Sequence, residues 1–60
     1  MKTYYFYDNT EKETKVMVVI ENNLDGAYTE LLNKHNIYYD VKLTINDILP
    51  FYQLFEIRYI

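Results

Sequence analysis

The chain of 60 residues has no cysteine, no serine and no tryptophan, and only one each of glycine, proline, histidine, alanine and arginine. Each scarcity removes a chemistry. Without cysteine there is neither a disulfide nor a thiolate zinc site. Without serine or cysteine the usual nucleophiles are missing, and only threonine, lysine, tyrosine or a carboxylate could take their place. A single glycine excludes a glycine-rich phosphate loop. The acidic stretch DNTEKE lacks the glycine and the spacing of a calcium loop. His35 stands between Lys34 and Asn36 and reads as a helix-end residue or a partial lid on the core rather than a general base. No catalytic residue, metal or cofactor is therefore expected.

The longest aliphatic run, Val16 to Ile20, is far too short to cross a bilayer. Lys2 is followed by tyrosines and then by a polar run, without the apolar stretch of a secretory signal. A soluble, cytoplasmic chain is the resulting expectation. Six basic and nine acidic side chains give a net charge of −3, and the basic ones are scattered. That distribution argues against a nucleic-acid binder. The acidic excess is too slight to mark an imitation of DNA by Glu30, Asp40, Asp47 and Glu56. Asn, Ile, Tyr, Lys and Phe dominate, as in AT-rich genomes, and small acidic proteins of such genomes are often carried by phages or plasmids.

What the chain does have is aromatic: eight tyrosines and three phenylalanines. Sixty residues make one α+β domain, 1–60, with a small core that relies on good packing or on a partner. Thr3–Tyr7 and Lys15–Glu21 are rich in β-branched and aromatic residues and predict two strands, joined by the turn-forming DNTEKET as an antiparallel hairpin. Leu24, Ala27, Tyr28, Leu31 and Leu32 form one apolar stripe at helical spacing, capped by Asn22 or Asn23 and closed at Asn36. Ile37–Ile45 alternates and predicts a third strand, with Val41 inward and Tyr38 and Asp40 outward. Asn46-Asp47 and Pro50 predict a turn or a single helical turn. Phe51–Tyr59 fits a strand better than a helix, with Phe55 and Ile57 inward and Glu56 and Arg58 outward. The expected order is β-β-α-β-β: an antiparallel sheet of two hairpins with one helix packed on one face.

Four consecutive rings, Tyr4 to Tyr7, cannot all enter one packing layer, because neighbouring strand residues point to opposite faces. With Tyr4 and Phe6 under the helix, Tyr5 and Tyr7 emerge on the open face. With Val16, Val18 and Ile20 assigned inward, Met17 and Val19 join them there. The expected contact surface is therefore Tyr5, Tyr7, Met17, Val19, Tyr38, Asp40, Tyr52 and Glu56. The composition and this patch imply a small non-enzymatic module that covers a surface of another protein, in the manner of an inhibitor. The alternatives are a homodimer, paired through open sheet faces or edge strands, and, ranked last, a single-stranded nucleic-acid binder.

Overall fold

The computed structural model describes all residues, 1–60. Its elements are β1 (Lys2–Asp8), β2 (Lys15–Glu21), α1 (Leu24–Tyr39), α2 (Ile45–Ile48), a 3₁₀ turn (Leu49–Phe51) and β3 (Tyr52–Tyr59). The strands form one antiparallel sheet in the order β2-β1-β3, so the first strand lies in the middle. The two edge strands run parallel to one another, and the chain passes between them through α1, over β1. This is an α+β fold with three strands, not two hairpins.

The β1–β2 hairpin forms where the turn chemistry puts it. The Asp8 carboxylate accepts the Thr10 amide at 2.9 Å, the Thr14 hydroxyl donates to the Asn9 side chain at 2.6 Å, and Lys15 pairs with Glu11 at 2.7 Å. The Asn9 amide donates to the Phe51 carbonyl at 2.8 Å, tying the hairpin loop to the start of β3. The core face carries Tyr4 and Phe6 of β1, Val19 of β2, Ala27 and Leu31 of α1, and Ile48 of α2. Met17, Tyr28, Leu32, Ile45, Tyr52 and Leu54 pack around them.

Helix α1 begins at Asn23, which has extended backbone and accepts the Gly26 amide at 2.8 Å. Asn23→Ala is expected to cost about 1 kcal/mol, lowering the melting temperature by roughly 4–8 °C for a domain of this size. An unchanged thermal melt would show that the cap contributes nothing.

The helix does not stop at Asn36. It continues for almost another turn and closes at Asp40, whose backbone takes the left-handed conformation at φ 53°, a position that aspartate tolerates better than most residues. Asn36 instead clamps the next segment, its side chain bonding both the amide and the carbonyl of Leu43 at 3.1 Å. The expected strand over Ile37–Ile45 is absent. The physical reason is that Tyr39 satisfies both periodicities: it lies on the inward side of an alternating strand, and also four residues after the buried His35 on the helix stripe. Tertiary contacts choose the helix, and Val41 and Leu43 are left exposed in irregular chain. Ahead of α2, the Thr44 amide and hydroxyl both donate to the Asp47 carboxylate at 2.9 Å. Pro50 falls in the 3₁₀ turn, where its missing amide is harmless.

Two facings differ from expectation. In β2, Tyr4 lies opposite Val19 and Phe6 opposite Met17, so Val19 and Met17 share the core side with those rings. Val16, Val18 and Ile20 point the other way. A shift of one residue in phase exchanges every side chain of a strand. In β3, Tyr5 pairs with Glu56 but Phe6 pairs with Leu54, so Phe55 is the extra residue of a β-bulge. The bulge sends Tyr52 and Leu54 inward and puts Phe55 on the outer face.

Candidate interaction surface

The sheet face away from α1 and α2 is apolar along β1 and β2 and at Phe55 of β3, whose other outward residues are Gln53, Glu56 and Arg58. Tyr5 and Tyr7 come from β1, Val16, Val18 and Ile20 from β2, and Phe55 from β3. Cross-strand pairing brings Tyr5 against Val18, Tyr7 against Val16 and Thr3 against Ile20, the neighbours through which a sheet face gains side-chain packing. Tyr7 and Phe55 stack with ring centres 4.0 Å apart and planes 15° from parallel, and Tyr5 tilts against Phe55 at 6.1 Å. The bulge thus delivers the third ring of an aromatic row. At one end Arg58 lies over the Tyr5 ring at 5.4 Å and pairs with Glu56.

No element of the chain covers this face. Val16 is 55 % exposed, Ile20 52 %, and Val18, Tyr7 and Phe55 each nearly 40 %. The rings hold one another in place, so the surface is organised before anything touches it.

Of the residues expected at a contact surface, Tyr5, Tyr7 and Glu56 lie on the uncovered face. Val19 is fully buried and Met17 points to the core side. Tyr38 lies on an exposed flank of α1, and Asp40 terminates that helix. Tyr52 points inward, its hydroxyl 2.7 Å from His35 Nδ1. Sequence reasoning missed Val16, Val18, Ile20 and Phe55. Placing Val16–Ile20 opposite the rings of β1 would have found the first three. Nothing local announces the bulge that turns Phe55 outward.

A second group of polar side chains lies at the other end of β1, inside the fold. Asp8 and His35 are 1 % and 2 % exposed. The Tyr39 hydroxyl donates to Asp8 at 2.7 Å, and the rings of Tyr39 and Tyr52 flank the His35 imidazole. Burial pushes the Asp8 carboxyl up, but the Thr10, Tyr39 and Tyr52 dipoles together outweigh it and hold the group below its ordinary value. Burial, and then the adjacent Asp8 charge, push the Tyr39 phenol up to about 12. The Tyr52 phenol moves upward for the same reasons. A carboxylate, phenols and an imidazole in contact could relay a proton, but Asp8 and His35 are shut off from solvent, and a substrate could not reach either. The one concavity is a shallow groove of about 280 Å³ on the far flank of α1, lined by Met17, Lys34, Ile37 and Tyr38. No three His, Asp or Glu side chains gather in a way that could hold a metal ion. No helix is long and apolar enough to cross a membrane.

No protein family, curated protein or solved structure matches the chain.

Proposed function

We propose that this chain is a small non-enzymatic protein-binding module that uses its uncovered sheet face to cover an apolar surface of a partner protein in the cytoplasm. The observation that carries this reading is the row Tyr7–Phe55–Tyr5 beside Val16, Val18 and Ile20, a contiguous apolar patch free of any covering element. Antiparallel sheets commonly leave one face in water, but that face is then polar. A contiguous apolar patch with phenolic tips is the composition of an interface core. A protein partner fits better than a nucleic acid. The only cation on this face, Arg58, is engaged by Glu56, and no basic track continues from it to follow a phosphate backbone.

The reading predicts where contact occurs. A photoreactive phenylalanine analogue in place of Phe55 or Tyr7 is expected to cross-link one discrete protein in extracts of the native host. The same analogue at Asn33, exposed on α1, is expected to give none. Tyr7→Ala combined with Val18→Thr should abolish the Phe55 adduct while the purified variant retains a cooperative melt. Equal labelling from Asn33, or labelling that survives the double variant, would assign the face to solvent-exposed packing alone.

A further inference from the structure

The two edges of the sheet differ. Strand β3 is protected in the ways that edges usually are: a bulge at Phe55, the charges Glu56 and Arg58, and a proline just before it. Strand β2 is not. It pairs with β1 over seven consecutive residues without a bulge, and Val16 to Ile20 contains neither charge nor proline. Its other edge is free, because β2 ends the sheet. An apolar, regular edge of this kind is a template for another strand.

We propose that the strand it takes is β2 of a second copy, antiparallel and centred on Val18, giving a two-fold dimer with one continuous six-stranded sheet. This inference is independent of what the uncovered face binds. The sequence KVMVVIE complements itself in that register. Val18 meets Val18, Val16 meets Ile20 and Met17 meets Val19, apolar against apolar on both faces. At the ends Lys15 meets Glu21, twice. Within the monomer Lys15 already lies across from Asp8, and Glu21 across from Lys2. Pairing the two copies therefore extends a row of alternating sign, Asp8–Lys15–Glu21–Lys2, across the junction at each end. Glu21 has no ion-pair partner within its own chain, and Lys15 would share its ammonium between Glu11 and the second copy's Glu21. The neighbouring registers are worse. Sliding by two residues one way sets Glu21 against Glu13, and the other way sets it against Met17. Like charges directly opposite destabilise a sheet, whereas unlike charges support it.

The helices agree with this two-fold. Helix α1 packs against β2, the strand at the junction. Its copy across the junction then runs antiparallel beside it. The flank of α1 that meets its copy carries Glu30, Lys34 and Ile37. Glu30 and Lys34 are four residues apart yet make no ion pair with each other, and the antiparallel arrangement sets Glu30 of one copy beside Lys34 of the other. Ile37, 82 % exposed, and the groove it shares with Met17, Lys34 and Tyr38 lie on this flank. The second copy supplies what fills them.

The absence of native cysteine makes the register directly measurable. Under oxidised glutathione, Val18→Cys is expected to form a disulfide-linked dimer, because the two residues face each other on the axis. Val16→Cys alone and Ile20→Cys alone should not, their copies lying roughly 13 Å apart along the strand, but a mixture of those two variants should cross-link. Light scattering on the unmodified chain should give twice 7.4 kDa. Lys15→Glu and Glu21→Lys should each weaken the dimer roughly tenfold, and an equimolar mixture of the two should restore it. A 7.4 kDa mass at millimolar concentration would overturn the proposal. So would cross-linking through Tyr7→Cys in preference to Val18→Cys, which would mean that the sheets stack face to face.

Discussion

Phe6→Ala is expected to leave the chain largely unfolded at 25 °C in plain buffer. Phe6 is fully buried on the central strand, with its ring edge-on to Tyr28 at 5.4 Å and to Tyr52 at 6.5 Å. One residue thus joins β1 to α1 and β3. Truncating a buried phenylalanine costs about 3–5 kcal/mol, and a core of this size supplies only about 3–5 kcal/mol of net stability. Phe55→Ala is the comparison that gives the experiment its meaning. That ring is on the other face, 38 % exposed and stacked on Tyr7. Its loss forfeits a stacking interaction of about 0.5–1.5 kcal/mol together with part of its burial, and the variant should still melt cooperatively. Circular dichroism on the two variants separates the outcomes. Similar melts for both would mean that the faces of β1 and β3 are assigned the wrong way round.

Asp8→Ala is the other large effect expected. The Asp8 carboxylate receives the Tyr39 hydroxyl and the Thr10 amide. Alanine would strand these donors inside the fold. Each one left unsatisfied costs about 1–3 kcal/mol, so the sum approaches the whole stability of the domain. The same cluster sets the pH dependence. Asp8 in the folded state lies below its ordinary 3.8. Its contribution is therefore fully present above pH 4 and is lost as the pH falls through the lower folded value. Tyr39 moves the opposite way, from 10.0 to about 12. Its contribution is complete below pH 10 and is lost as the pH rises towards 12. Denaturant midpoints across the pH range should form a plateau with falling limbs on both sides. Tyr39→Phe keeps the ring and removes one titrating group, so it should shrink the alkaline limb to the part that Tyr52 supplies while leaving an acid limb. An alkaline limb unchanged in that variant would show that Tyr39 does not titrate in this way.

Much of this molecule is decided within short windows of sequence. Asp8-Asn9 makes the turn, β-branched and aromatic runs make the flanking strands, and Asn23 starts a helix whose stripe from Leu24 to Leu32 is unambiguous. The strand at Tyr52–Tyr59 follows from its composition once Pro50 stands in front of it. These features depend on backbone preferences and on neighbours a few residues away, so they are legible locally. The missing residue types, cysteine and serine among them, are equally plain from the composition.

Three features belong to the tertiary structure alone. The end of α1 goes against the local reading, because IYYDVKLTI alternates like a strand while His35 and Tyr39 continue the helical stripe. What resolves it is contact at a distance: Tyr39 with Asp8, 31 residues away, and His35 with Tyr52, 17 residues away. The facing of β2 depends on which residue of β1 lies opposite each of its own, and a run of consecutive apolar residues carries no alternation to reveal it. The bulge at Phe55 exists only in the pairing of β3 with β1. The last two together decide which side chains reach the uncovered face. Local preference could therefore place Tyr5 and Tyr7 there but not the valines beside them. Strand phase and pairing are properties of two segments at once, and they are fixed only when the sheet closes.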